Sequence, residues 1–172
     1  MPGRDFHGFN YMPLRLATKA AEGGYPDGQA GVGTCYLEGM GTRKDSAAGV
    51  EWIRKSALAG SADGQGAYGI LLQEGKLIPQ SYSEAKMWYE KSARQGDRGS
   101  QHNLGVMYYE GMGIPRDYAQ AIKWWKRAAK QGNVSSLHNL GYCYEMGIGV
   151  RRDLSVARTY YRKEEAAKKA DN

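Results

Sequence analysis

The sequence is poor in several features that mark particular classes of protein. Cysteine occurs only twice in 172 residues, which is too few for a disulfide framework or a structural zinc site. No apolar run approaches the ~18 residues that a membrane-spanning helix needs, and the opening residues lack the apolar stretch of a secretory signal. We expect a soluble protein. Its compartment is open between cytoplasm and periplasm, because a signal peptide already removed would leave the same sequence.

The chain also lacks a large net charge of either sign. The chain has 24 basic and 18 acidic residues, and this modest excess of +6 is spread over much of its length. Such a balance favours solubility over a polyanionic partner, so we predict no nucleic-acid partner. Basic residues concentrate towards the C-terminus with acidic residues interleaved, a pattern typical of a solvated surface. Docking to an acidic protein or to a membrane surface is the alternative.

Glycine and two of the aromatic residues are, by contrast, abundant. The chain has 24 glycines, 13 tyrosines and 4 tryptophans but only 2 phenylalanines, and such a composition in a non-fibrous chain indicates internal repeats. A shift of 36 residues aligns two full columns of glycine: Gly33, Gly69, Gly105 and Gly141, then Gly39, Gly75, Gly111 and Gly147. Four repeats of this length cover residues 28–63, 64–99, 100–135 and 136–172.

The pattern within each repeat predicts two helices. In the third repeat, Gly105 lies on the apolar face of the first helix, where a missing side chain lets a neighbouring helix come close. Gly111 can take the left-handed conformation that ends a helix, and Asp117 can accept hydrogen bonds from the first N–H groups of the second helix. The other repeats place similar caps at Asp45, Ser81 and Asp153. The apolar face of the second helix consists of Ala121, Trp125 and Ala128.

A single helix pair cannot bury its own apolar face, so the repeats must stack on one another. We predict an all-α fold, a right-handed α-solenoid of stacked helix-turn-helix repeats. Residues 1–27 form an N-terminal segment in which residues 13–24 align with the second helix of a repeat and supply a half-repeat capping helix. Glu164 and Lys168 replace small residues of the other repeats, so the last helix is predicted to be a polar C-terminal cap.

One segment of the third repeat carries a family resemblance. The run Leu104–Gly113, followed by Asp117 and by Ala121–Ala129, resembles the Sel-one-like repeat (SLR), a relative of the tetratricopeptide repeat (TPR). The resemblance extends over about residues 28–163. The second repeat departs most from the pattern, with Leu77 where glycine is usual, and we expect a distorted loop there.

The resemblance implies a function as well as a fold. It implies a non-catalytic scaffold or adaptor for other proteins. Some bacterial relatives act as immunity proteins that hold a secreted toxic lipase, which is the first alternative. A cysteine-rich branch is associated with β-lactam and peptidoglycan binding, but this chain lacks the cysteine pairs of that branch.

The concave face of the related solenoids, lined by the first helices, is where a partner is expected to bind. Helix projection identifies which positions point into this groove. In the first two repeats they hold mainly small or aliphatic side chains: Ala30, Gly31, Thr34, Leu37, Glu38, Gly66, Ala67, Ile70, Gln73 and Glu74. In the last two repeats they hold the candidate partner-binding residues: His102, Asn103, Val106, Tyr109, His138, Asn139, Tyr142 and Glu145, beside Glu110 and Met146. Rings beside polar groups are typical of binding surfaces, so we predict that a protein partner binds there. The alternative is that these side chains only satisfy neighbouring repeats.

Patterns for catalysis, metals or cofactors are weak. His102 and His138 lie one repeat apart with no third ligand recurring beside them, so we predict no metal. The Gly-x-Gly loops follow helices and lack the Lys-Ser/Thr pair of a phosphate-binding loop. Cys35 and Cys143 share a repeat column with apolar residues and are interpreted as core fillers. We predict a monomeric protein that is not an enzyme and has no cofactor.

Overall fold

The structure, a computed structural model, describes residues 13–170. Within this range the chain forms nine α-helices and no β-strand, which confirms the predicted all-α fold. The helices are α1 (Leu14–Glu22), α2 (Pro26–Glu38), α3 (Ser46–Leu58), α4 (Ala62–Glu74), α5 (Tyr82–Arg94), α6 (Arg98–Glu110), α7 (Tyr118–Lys130), α8 (Val134–Met146) and α9 (Leu154–Ala170). They belong to two compact units. The N-terminal unit ends at Asp97 and contains α1–α5, and the C-terminal unit begins at Arg98 and contains α6–α9.

The N-terminal unit is built from small residues at its helix contacts. Ala17 and Ala21 of α1 pack against Val32 of α2. The next layer of the core consists of Leu37, Ile53, Ala67 and Leu71. Because small side chains separate them, α2 and α4 come into direct contact with each other.

Over residues 98–170, the core of the C-terminal unit contains one buried aromatic ring, that of Trp125, whereas the N-terminal unit buries Trp88 and Tyr89. The main buried cluster of the C-terminal unit consists of Ala121, Ile122, Trp125, Leu140 and Cys143. Ala121, Trp125 and Ala128 are all buried, which confirms the predicted apolar face of α7. Both cysteines of the chain are buried free thiols, one in each unit, as expected of core fillers.

Helix ends follow the predicted chemistry. Gly111, at the end of α6, has a φ of +75°, a left-handed conformation that glycine adopts without steric cost. Asp117 accepts a hydrogen bond from the backbone N–H of Gln120 at 3.0 Å and so caps α7. The same cap is made in the other repeats by Asp45, Ser81 and Asp153.

The repeated glycine of each first helix touches the second helix of its own repeat. A Cβ atom added to Gly105 would collide with the indole ring of Trp125. The equivalent pairs are Gly33 with Ile53, Gly69 with Tyr89, and Gly141 with Tyr161. The predicted close approach of two helices at this column is confirmed.

The loop of the second repeat differs from the others at Leu77. Its counterparts Gly41, Gly113 and Gly149 all have a positive φ, whereas in residues 13–170 only glycines do. Leu77 therefore takes another backbone conformation, and its side chain is exposed. The loop still closes with a hydrogen bond from the N–H of Ser81 to the carbonyl oxygen of Leu72 at 2.9 Å.

One part of the groove prediction is wrong. Ala30, Leu37, Gly66 and Ala67 do not face an open groove, because all four are buried in the N-terminal unit. Leu37 packs on Ile53 in the core. Helix projection places a residue on a face, but it does not tell whether a neighbouring helix already covers that face.

Candidate protein-binding cleft

The C-terminal unit contains an open cleft of about 330 Å³ between α6 and α8, with α7 at its base. It is lined by Val106, Tyr109, Glu110, Trp125, His138, Asn139, Tyr142 and Cys143. Five of these are candidate partner-binding residues identified in the sequence: Val106, Tyr109, His138, Asn139 and Tyr142. The helical spacing explains the grouping, since Val106 and Tyr109 are three residues apart on α6 and His138 and Tyr142 four residues apart on α8.

The floor of the cleft is Trp125. Its ring is buried, and its Nε1 donates a hydrogen bond to the carbonyl oxygen of His102 at 3.2 Å. Tyr109 lies beside this floor, with ring centroids 5.3 Å from Trp125 and 5.2 Å from Tyr118. A ring held on two sides loses little conformational freedom when a partner binds.

The rim of the cleft is accessible to a partner. The side chain of Tyr142 is 42% exposed, and Met146 one turn later is 57% exposed. Desolvation is the main cause that raises the pKa of Tyr109, so its phenol stays protonated and can donate a hydrogen bond. Exposed apolar area next to hydroxyl and amide groups is the composition expected of a recognition surface.

His138 connects the cleft to α9. Its Nδ1 lies 3.1 Å from Oε2 of Glu164, whose other oxygen accepts a hydrogen bond from Nζ of Lys168 at 2.7 Å. Glu164 is buried, although the sequence predicts that it belongs to a polar cap. Desolvation raises the pKa of this carboxyl, but the hydrogen bonds from Lys168 and His138 outweigh it and hold the pKa below its ordinary value. Glu164 is therefore a buried carboxylate that positions the His138 ring.

Three candidate residues do not line the cleft. The Nδ1 atom of His102 is 2.8 Å from Oγ of Ser136, which ties α6 to α8, and burial lowers the pKa of His102 to about 4. Glu145 accepts a hydrogen bond from the hydroxyl of Tyr161 at 2.7 Å. Asn103 is half-buried on α6. His102 and Glu145 thus contact neighbouring helices, the alternative left open in the sequence.

Two lining residues were interpreted from the sequence only as core. Trp125 and Cys143 both face the cleft as well as the interior. A signal for Trp125 was present, because Gly105 opposite it carries no side chain and lets the indole reach the neighbourhood of Tyr109.

Residues 13–170 contain no group of three or more His, Cys, Asp or Glu side chains arranged to hold a metal ion. Over the same range, no helix combines the length and the apolarity needed to cross a bilayer.

Comparison with known proteins identifies the repeat. Residues 26–61, 62–97, 99–133 and 134–163 each match the Sel1 repeat. The crystal structure of a protective antigen present in uropathogenic Escherichia coli strains, which displays an SLR fold, is 36% identical with a TM-score of 0.81; the match covers 90% of this chain and 33% of that one. A Sel1 repeat protein from Oxalobacter formigenes is 28% identical with a TM-score of 0.83, and the match covers 92% of this chain and 64% of the other.

A more distant structure shares the fold alone. An immunity protein from Pseudomonas aeruginosa is 20% identical with a TM-score of 0.64, and the match covers 90% of this chain and 57% of that protein. The chain spans a third of the length of the E. coli antigen and less than two thirds of the length of the other two proteins. No curated protein matches it.

The helix pairs and these matches define a helical repeat protein of the α-solenoid class, as predicted. Because the four repeats cover most of the chain, the protein belongs to the Sel1 repeat family. Members of this family are generally non-catalytic scaffolds for protein interactions.

Proposed function

We propose that this chain is a non-enzymatic scaffold that binds a segment of a protein partner in the cleft between α6 and α8. The observation that carries the proposal is the grouping of five candidate side chains around one open cleft with a fixed indole floor. Aromatic side chains held in place before binding are the residues that most often dominate the energy of an interface.

The chemistry of the cleft favours a partner segment that inserts an apolar or aromatic side chain. Tyr109 and Trp125 offer ring faces, and Val106 offers aliphatic area at the wall. His138 and Asn139 add polar groups that can hydrogen-bond the backbone of an extended segment. The protein would therefore recognise both a side chain and the main chain beside it.

A catalytic use of the same cleft is less well supported. Cys143, His138 and Glu164 are residue types found in cysteine hydrolases, and the first two line the cleft. Burial, however, raises the pKa of the Cys143 thiol to about 11, whereas the nucleophile of such an enzyme is the thiolate. The sulfur is protonated at neutral pH, which supports a binding role.

An immunity function is a more specific form of this proposal. The similarity of fold to an immunity protein covers 90% of this chain, and it motivates the idea that the partner is a secreted toxic effector such as a bacterial lipase. Co-expression with a toxic lipase effector from the native host tests this form. Survival of the host with the wild-type chain, and its loss with Tyr142→Ala, would support it; equal killing with and without the chain would contradict it.

The general proposal is tested by capture and titration. Photo-crosslinking from the position of Tyr142 in the native host identifies the partner, and calorimetry with the purified partner then measures affinity. We expect Tyr142→Ala to weaken binding about thirtyfold, the effect of losing ~2 kcal/mol at a hot spot. Lys55→Ala, an exposed change on α3, is the matched control and should leave affinity within about twofold. Normal binding by Tyr142→Ala together with loss of binding by Arg162→Glu would overturn the cleft proposal.

A further inference from the structure

The net positive charge of the described residues lies in one unit. Between residues 13 and 97 there are ten basic and ten acidic side chains, so the described part of the N-terminal unit is neutral. Between residues 98 and 170 there are thirteen basic and six acidic side chains, a net charge of +7. The apparent spread of charge along the sequence therefore conceals a strongly basic C-terminal unit.

Helix α7 is the most unbalanced element of that unit. It carries four basic residues, Lys123, Lys126, Arg127 and Lys130, and no acidic residue. Lys123 and Arg127 are four residues apart, as are Lys126 and Lys130, and like charges at this spacing destabilise a helix. The corresponding helix of the preceding repeat avoids this cost.

That helix, α5, provides an internal comparison. Lys86 and Glu90 of α5 form an ion pair at 2.6 Å, again four residues apart. Helix α3 likewise pairs Arg54 with Glu51 at 3.5 Å. The equivalent helices of the first and second repeats thus contain carboxylates that pair with their own cations, whereas α7 contains none.

The cations of this unit are also held in place by aromatic rings. The guanidinium of Arg127 lies 4.6 Å from the centre of the Trp124 ring. Nζ of Lys126 lies 5.6 Å from the centre of the Tyr144 ring, which stacks on Tyr160 at 5.7 Å. Nζ of Lys163 in turn lies 5.8 Å from the centre of the Tyr160 ring. A cation resting on a ring has less freedom to lose when it meets an anion.

We propose that the exposed side of α7, formed by Lys123, Arg127 and Lys130 and continued by Lys126 and Lys163, is a second binding surface for an acidic protein segment. Charge complementarity carries the proposal. Helices α3 and α5 contain their own carboxylates, and carboxylates of a partner would neutralise the cations of α7 in the same way. This basic surface is separate from the cleft, since none of its residues lines the cleft.

The rings argue for a protein over a nucleic acid. Trp124, Tyr144 and Tyr160 each already contact a cation or another ring, which leaves less ring surface on which a base could stack. The exposed side of α7 also has no large apolar side chain to insert into a bilayer. An acidic protein segment needs neither a free ring face nor an apolar side chain on this surface, because its carboxylates pair directly with the fixed cations.

The proposal is tested with a fluorescein-labelled poly-glutamate peptide as probe, titrated by fluorescence anisotropy at low and at physiological salt. We expect the wild-type chain to bind it and the triple variant Lys123→Gln, Arg127→Gln, Lys130→Gln to bind at least about tenfold more weakly. The matched control removes the same charge from the N-terminal unit by Arg54→Gln, Lys55→Gln and Lys91→Gln. Lys55 and Lys91 also lie over tryptophan rings, and this variant should bind within about twofold of wild type.

Several outcomes would overturn the inference. An equal loss of affinity in both triple variants would mean that only net charge matters. Tighter binding of an oligothymidylate of matched charge, or of phosphatidylserine vesicles, would assign the surface to a different class of partner. Circular dichroism checks that both variants stay folded. Tyr142→Ala should leave peptide affinity unchanged; a large loss would place the acidic peptide in the cleft, so this result separates the two surfaces.

Discussion

The backbone of Gly105 lies directly against the indole ring of Trp125, without room for even one additional carbon atom. This contact joins the two helices of the third repeat and holds the floor of the cleft at the depth where Tyr109 can pack beside it. A substitution at Gly105 should therefore disturb both the stability of the fold and the shape of the cleft.

Gly105→Val tests this contact. The added side chain must displace a buried ring, and overpacking of this kind costs about 3 kcal/mol in the free energy of unfolding. Urea denaturation measures it. Ala119→Val introduces the same residue at an exposed position of α7 and should cost less than ~1 kcal/mol. Equal midpoints for the two variants would contradict the close helix contact.

The two tyrosines of the cleft should differ in how much they contribute to the stability of the fold. Tyr109 contacts two rings, so Tyr109→Ala should lower the free energy of unfolding by at least about 2 kcal/mol. Tyr142 is 42% exposed, and Tyr142→Ala should lower it by less than about 1 kcal/mol. Thermal unfolding followed by circular dichroism gives both values. A larger loss for Tyr142 than for Tyr109 would reverse our assignment of floor and rim.

Acidification should weaken the C-terminal unit through His102. The pKa of this ring is about 4 in the folded chain, below the ordinary value of 6.5 of the unfolded chain. The unfolded state therefore binds the proton first as the pH falls from 6.5 towards 4, and up to about 3 kcal/mol of stability is lost across that window.

His102→Asn is the reference for this prediction, because its amide can keep a hydrogen bond to Ser136 without titrating. Asp63, whose pKa is raised to about 6 by desolvation and by Asp27 and Asp97, titrates in the same range in both proteins. The difference between the two stability profiles therefore isolates His102. Parallel profiles between pH 6.5 and 4 would show that the ring is not held neutral.

The repulsion within α7 predicts a stabilising substitution. Lys123→Glu removes a like-charge pair and places an acidic residue four positions before Arg127, the favourable order along a helix. We expect the free energy of unfolding to rise by about 0.5 kcal/mol at low salt, with a smaller gain at high salt. Lys123→Gln should give roughly half of this gain, and a decrease in both variants would mean that Lys123 has a stabilising contact in the folded protein.

Much of the fold could be predicted from the sequence because its determinants are local and repeated four times. Gly111 ends its helix because glycine itself can adopt a positive φ. Asp117 caps the next helix by accepting a hydrogen bond from an N–H group only three residues away. Helix periodicity was also sufficient to group Val106 with Tyr109 and His138 with Tyr142. These features need no knowledge of distant parts of the chain.

The candidate site could be predicted only in part. Ala30 and His138 occupy the same position in their repeats, yet Ala30 is buried and His138 lines the cleft. The difference lies in the neighbouring helix, which approaches closely where both surfaces are small and stays apart where tyrosines intervene. A single-helix projection contains no information about that spacing.

The sequence by itself determined the repeat length, the helix pairs with their caps, and the set of side chains on the first-helix faces, since each depends on residues within one or two turns. Tertiary structure alone decided that Trp125 forms the floor of the cleft, that His102 turns to Ser136, and that Glu164 is a buried partner of His138. It also brought Lys126 and Lys163 onto one pair of stacked rings. The hydrogen bonds of Trp125, His102 and His138 join residues 23 to 34 positions apart, and they arise from how neighbouring helices pack, which no local pattern encodes.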